Sequence, residues 1–367
     1  QLKMHIQGGT PLLQMGFPDL PKVHFSLQIP NEKNTTIKIL HSKYTDQLGY
    51  AIAPSKGSMS RTIKPNDVPF VYNELYQKNA FYPAKLAYLN EPYILRHRRG
   101  QTVHVLPAQY NPISKTLRIY EQMRIQIDYE GLSTINTLSS DTHAENEDVF
   151  ASIYQNRFIN YKPESTSYAP ISEQGNLLIV TPSVYLPAMQ AFIQWKNQKG
   201  IKTLVALVDT ISGGVSDITI KNCIKKYFQN FGIQYVLLVG DNTDIPSIAT
   251  GFDIKGPSDR GYAYMVGSDH YPDLIVGRFS GESLADISTQ VERSIAYEKI
   301  PNAAGNWMRT QLGIASQEGT GDDNQMDWEH IHAIVDSNKS HFNYTHNIEM
   351  YDGDTARIGT TDISGWP

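Results

Sequence analysis

The chain has 367 residues, 40% of them hydrophobic, and a formal net charge of -5. That is enough apolar material for two cores, and the acidic balance argues against nucleic acid as the main partner, because phosphate binding shows as a basic stripe. The single cysteine, Cys223, excludes an internal disulfide framework and a zinc site built on several thiolates. No apolar run is long enough to span a membrane, and the chain opens on Gln1-Leu2-Lys3-Met4 rather than on a charged and then apolar leader.

Up to about residue 130, short runs that alternate in polarity, such as 22–29, 116–120 and 123–129, are separated by Pro and Gly. This predicts antiparallel strands packed as a β-sandwich. The cluster Arg96-His97-Arg98-Arg99 reads as a solvated strand end. Residues 131–148 are rich in Ser, Thr, Asn and acid and predict a flexible connection. A short segment, 149–161, precedes the polar stretch 162–167, which marks a boundary, so the expected units are 1–130, a 131–167 linker and 168–367. Beyond it, strands at 177–180, 203–208, 235–240, 274–276 and 312–316 alternate with helices at 186–198 (closed by Gly200), 217–228 (capped by Asp217), 283–298 and 327–336. That order predicts a three-layer α/β/α domain on a mostly parallel, doubly wound sheet. Cys223 recurs with Ile220, Ile224 and Tyr227 at helical spacing and reads as a core thiol.

The run 235–240 ends in Asp241, followed by Asp244, Asp269 and Asp273. Ligands of open α/β sheets gather at the carboxyl ends of the strands, where Asp241 falls. Asp269 and Asp273 lie four residues apart in a proline-containing loop whose carbonyls can also point inward; joined by Asp241 at one sheet end, they would suit a hard cation such as Ca²⁺. The alternative is that all four are turn and cap residues. Glu318 follows strand 312–316, where it either orients a histidine or begins a turn. Asp327 and His330 share a helix face; His330 and His332 do not, which argues against a two-histidine zinc helix.

At this point the chain resembles the gingipain family of secreted cysteine endopeptidases, whose catalytic fold is related to that of caspases. In the first half the resemblance is carried by Ala51-Ile-Ala-Pro-Ser-Lys-Gly57, Gly100-Gln101 and the run from Gln109 to Tyr120. In the second it is carried by Trp195-Lys-Asn-Gln-Lys-Gly200, the run from Tyr235 to Asp241, Asp244-Ile-Pro246, Asp269-His-Tyr271, Gly277-Arg-Phe-Ser280 and Ile314-Ala-Ser316. The first half looks like the family's prodomain, and the second like the start of its caspase-like protease domain.

The resemblance implies a calcium site of Asp241, Asp269 and Asp273 with carbonyl oxygens of Val266 and Tyr271. It implies that Glu318 supports the catalytic histidine, and that Asp327 lies at the base of the pocket for a basic substrate side chain. His330 matches a ligand of a second calcium site whose acidic companion is replaced by Gln325. Lys85 is the position matched to a prodomain residue that occupies the specificity pocket, which would make the prodomain an intramolecular inhibitor. Ser167-Tyr168 stands at the junction where arginine-specific relatives carry a basic residue before the cut.

The family's Gly-His-Gly turn and its later cysteine have no counterpart here, and the sequence stops at Gly365-Trp366-Pro367. The expectation is therefore a fragment of a secreted or cell-surface cysteine endopeptidase zymogen that cleaves protein or peptide substrates after Lys or Arg, inactive alone, with the catalytic His and Cys beyond Pro367. The alternative is an exported, non-catalytic binding or secretion-associated protein that keeps the fold. A phosphate-binding flavodoxin-like domain is a third reading, against which the loops after Val180 and Val208 lack the glycine pattern that cradles phosphate.

Overall fold

The computed structural model describes residues 4, 6–60, 63–138, 148–162, 175–249, 257–301, 305–316 and 325–351. The N-terminal part is antiparallel. Its strands are β1 (Pro21–Gln28), β2 (Asn34–Leu48), β3 (Ala87–Leu89), β4 (Tyr93–Leu95), β5 (Arg98–Val105), β6 (Ala108–Asn111) and β7 (Thr116–Glu130). One sheet is built around β5, which pairs with β1 along one edge and with β3 and β4 along the other, while the short strand Thr10–Pro11 extends β1. The second sheet has the order β2-β7-β6. Its ribbon of β2 and β7 pairs Asn34 with Glu130 at one end and Leu48 with Thr116 at the other. Helix α1 (Asp148–Arg157) follows; its Phe150 and Tyr154, with Phe158 just beyond, recur every four residues and bury against Tyr93 and Leu95 of β4.

The C-terminal part is parallel, as alternating strands and helices require. In chain order it runs β8 (Asn176–Thr181), α2 (Leu186–Gln198), β9 (Lys202–Leu207), α3 (Asp217–Phe231), β10 (Tyr235–Val239), β11 (Ile275–Phe279), α4 (Leu284–Lys299), β12 (Thr310–Ala315), α5 (Asp327–His341) and β13 (His346–Tyr351). Four strands form one sheet in the order β9-β8-β10-β11, and β12 pairs in parallel with β13. Strand periodicity assigns the two faces. Leu178, Val180, Val236 and Leu238 pack on Ile220, Ile224 and Phe228 of α3. Their neighbours Leu177, Ile179, Leu237 and Val239 pack on Met189 and Phe192 of α2 and on Ile287 and Val291 of α4. Helices thus cover both faces, which explains why these strands read as unbroken apolar runs.

Candidate functional site

At the carboxyl edge of the parallel sheet, the chain leaves β10 through Gly240, whose φ of +121° and close approach to Asp244 leave no room for a side chain. Asp241 then closes its own turn: one carboxylate oxygen accepts the amides of Thr243 (2.7 Å) and Asp244 (3.1 Å) and the Thr243 hydroxyl (2.6 Å). The Thr243 hydroxyl, followed by the two amides, holds this carboxyl below its ordinary range. Beneath it, Arg278 of β11 grips Asp259 with two bonds of 2.7 Å and donates to the carbonyls of Gly240, Asp241 and Ile245, each at 2.9 Å. A planar five-donor fork is the one side chain that can tie a carboxylate and three carbonyls at once.

The register places Asp269 and Asp273 at the other edge. β10 and β11 are parallel, with Tyr235 opposite Ile275 and Val239 opposite Phe279. Asp273 therefore precedes its strand where Asp241 follows its own, and a strand's length, roughly 15 Å, lies between them. The expected convergence of Asp241, Asp269 and Asp273 at one sheet end is corrected on this ground. Among the described residues, no group of three or more His, Cys, Asp or Glu is placed to hold a metal ion.

At this amino edge the two carboxylates meet the N-terminal part. Alternate residues of a strand point their amides the same way, and β4 with its turn sends those of Ile94 and Arg96 away from β5. Asp269 accepts the Ile94 amide at 2.7 Å and Tyr271's at 2.9 Å. Asp273, fully buried, accepts the amide of Arg96 on one oxygen and those of Met265 and Val266 on the other, all at 2.8 Å. Burial raises the Asp273 carboxyl to about 6, against the pull of those three amides, and the charge of Asp269 adds to the rise. Beside them the Tyr93 and Tyr271 rings stack at 3.7 Å, and Arg157 donates to both phenol oxygens.

The cluster expected to be a solvated strand end is the most buried group of cations described: Arg96 is 0% and Arg99 1% exposed. Burying a guanidinium is costly unless its N–H groups find acceptors; both terminal nitrogens of Arg96 find them, while its Nε has none among the described residues. Arg96 donates to the carbonyls of Ile233 (3.1 Å), Asp273 (2.8 Å) and Gly232 (3.4 Å), and lies between the rings of Phe150 and Phe228. Its φ is +54°, in the two-residue turn between Leu95 and Arg98, a conformation that costs an L-residue ~1–2 kcal/mol. Arg99 instead donates to Pro30, Lys33, Ser133, Ile135 and Asn136, all within the N-terminal part. Segment 131–138, expected to be a flexible connection, is therefore held wherever it is described.

Asp327 begins α5 and accepts the Ser316 hydroxyl at 2.9 Å, so it stands at the carboxyl end of β12. His330 lies one turn on. His332, on another face, contacts Glu349 at 2.9 Å, and Glu349 accepts the Tyr351 hydroxyl. Lys85 is exposed, in the loop before β3. Glu318 and the junction Ser167-Tyr168 lie outside the described residues. Cys223 is half-buried on α3, and burial pushes its thiol up. The sequence reading missed Arg96, Arg157 and Arg278 as organising residues; for Arg278 the signal available was its place in Gly277-Arg-Phe-Ser280.

An antiparallel unit followed by a helix-covered parallel sheet, joined through the buried Arg96 and the carboxylates of Asp269 and Asp273, is the architecture of this two-part chain. It belongs to peptidase family C25: the Peptidase family C25 model matches residues 171–363, and the Propeptide_C25 model matches residues 2–168. Gingipain R2 of Porphyromonas gingivalis is 36% identical over 353 residues, covering 94% of this chain and 47% of the relative. Lys-gingipain of the same organism is 24% identical over 329 residues, covering 85% of this chain and 19% of that protein. The chain thus spans about half or less of the length of these relatives. A crystal structure of the Arg-specific cysteine proteinase gingipain R aligns at 36% identity and a TM-score of 0.44, over 50% of this chain and 43% of that one. Among the described residues no helix is long and apolar enough to cross a membrane.

Proposed function

We propose that this chain is the propeptide and leading peptidase segment of a gingipain-type cysteine endopeptidase precursor that hydrolyses peptide bonds after Lys or Arg. The observation that supports it is the succession of propeptide and peptidase matches along residues 2–168 and 171–363. In this reading the parent is secreted or held at the cell surface, as the family resemblance implies. Glu318 orients the histidine that protonates the leaving amine, and the nucleophilic thiolate is not Cys223, which faces the core between α3 and the sheet. Asp327 supplies the charge opposite a basic substrate side chain, and Lys85 of the propeptide competes for it.

Calcium belongs to the same proposal in a reduced form. Asp269 spends one lone pair on each oxygen and keeps the others, so with Asp273 and the carbonyls of Val266 and Tyr271 it could contribute to a hard-cation site at the amino edge. Asp241 has no part in it. His330 would belong to a second site only with an acidic partner from elsewhere, because Gln325 stands where the family's acidic companion would be.

The test is hydrolysis, by the full-length gene product, of peptides with a basic or a neutral residue before the scissile bond. A charge-assisted hydrogen bond in a partly desolvated pocket is worth ~1.5–3 kcal/mol, so Asp327→Asn should lower kcat/KM for basic peptides by roughly 10- to 100-fold and leave neutral ones unchanged. Lys85→Ala should weaken inhibition by the propeptide without altering the mature enzyme. Equal turnover of basic and neutral peptides would sink the specificity reading, and no turnover of any peptide would favour the non-catalytic one.

A further inference from the structure

We propose that the hairpin of β4 and β5 is the docking element of the N-terminal unit, and that the amino edge of the parallel sheet is an arginine socket built to receive Arg96. This rests on the reading of the chain as a propeptide unit and a peptidase unit, but not on any catalytic activity.

The acceptors make the case. Every hydrogen bond of the Arg96 guanidinium ends on a backbone carbonyl of the C-terminal part, at Gly232, Ile233 or Asp273. Its flat faces lie against one ring from each part, Phe150 at 4.9 Å and Phe228 at 5.3 Å. Arg99, three residues away and equally buried, bonds only within its own part. Two neighbouring buried arginines thus do different work: one closes a unit, the other crosses between units. The backbone agrees, because Arg96 holds a φ of +54° at the first position of a two-residue hairpin turn, where glycine is the unstrained choice. A hairpin selected only to turn would not keep an arginine there. The socket also supplies acceptors, Asp269 and Asp273, for the amides that β4 would otherwise leave open along its edge. Because this edge lies a strand's length from the carboxyl edge, docking leaves the carboxyl edge uncovered by the hairpin.

The full chain, carrying a specific protease site introduced at residue 168, tests the proposal. After the cut, size exclusion and native mass spectrometry over a dilution series give the dissociation constant of the two parts, and hydrogen exchange reads the Met265 and Val266 amides. The cut wild-type chain should stay associated. Arg96→Gly, which relieves the turn while deleting the guanidinium, should weaken association at least 100-fold and speed exchange at both amides. Should protection within β5 show that this variant has lost its N-terminal fold, Arg96→Lys is read instead; it keeps the charge but loses the fork, and should weaken association at least 10-fold. Association within threefold of wild type in the folded variant would overturn the socket and leave the two-unit reading intact. Separation of the wild-type parts on cutting would overturn docking at this edge, whereas loss of the fold of either part on cutting would remove the two-unit reading itself.

Discussion

Glu298 ties two helices with one carboxylate: from α4 it accepts Lys196 at 2.5 Å, Lys199 at 2.8 Å and the Trp195 indole at 2.8 Å, all from the end of α2 or just past it. Burial pushes its pKa upward, but the two lysines and the indole outweigh that and bring it down to about 2, from an ordinary 4.5. The folded state therefore binds fewer protons than the unfolded one between those values. The stabilisation is complete above about pH 4.5 and is lost as the pH falls toward 2. Glu298→Gln should cost about 1 kcal/mol at pH 7, discounted for its partial solvent screening. Thermal melts of the two proteins should draw together as the pH falls through that window, and a gap unchanged at pH 2 would exclude the charge as its origin. The same scale shows what sequence alone concealed. A run of Arg and His scores as solvated because charge is expensive to bury, and only the folded backbone reveals the carbonyls that receive Arg96 and Arg99.

Element by element, the parallel half was the easier to read. Ile220, Ile224 and Phe228 recur every four residues and are buried, as the spacing predicts. The start of that helix differs by one residue: the cap is Ser216, not Asp217. Ser216 accepts the Thr219 amide at 3.2 Å and its own amide is bound by the Thr219 hydroxyl at 3.0 Å, a reciprocal cap. Ser216→Ala should lower stability by about 1 kcal/mol, and Asp217→Ala, which loses a first-turn charge and an exposed bond from the Ile218 amide, by about 0.5 kcal/mol. Denaturant melts of the two variants decide it; the reverse ranking would restore Asp217 as cap. In the first half, β7 is one strand through Thr116–Glu130 where two short runs were expected, and β2 was not expected at all. Thr35, Ile37 and Ile39 alternate with exposed neighbours in the first half of β2, but most of 40–48 is exposed, so the period stops well short of the strand's end. Helix α1 hid for the opposite reason, its few apolar residues being spent on β4 rather than on a core of its own.

Across the whole molecule, the resemblance placed Asp241, Asp269 and Asp273 in one site, and the register of parallel strands divides them. The expected strands 235–240 and 274–276 in one parallel sheet already put Asp241 after its strand and Asp269 and Asp273 before theirs, so strand direction was the legible signal against one shared site. The reduced site gives a clear expectation: Ca²⁺ at 1 mM should raise the melting temperature of the wild type and of Asp241→Asn alike, and Asp269→Asn should abolish the rise. A rise lost in Asp241→Asn would return the three carboxylates to one ion, and no rise in the wild type would remove calcium from the amino edge.

The ribbon of β2 and β7 has a bearing on time rather than on strength. Asn34 must find Glu130 across nearly a hundred intervening residues, and Arg99 can reach Lys33 and Ile135 together only once that ribbon has closed. Ordering so long a loop is entropically unfavourable before any contact rewards it, and domains dominated by such distant pairings fold slowly. The parallel half can build β8, α2 and β9 from neighbours in sequence. During synthesis the N-terminal half emerges first, and its ribbon, with the Arg99 bonds to Lys33 and Ile135 that depend on it, can close only after Glu130 and Ile135 have been made.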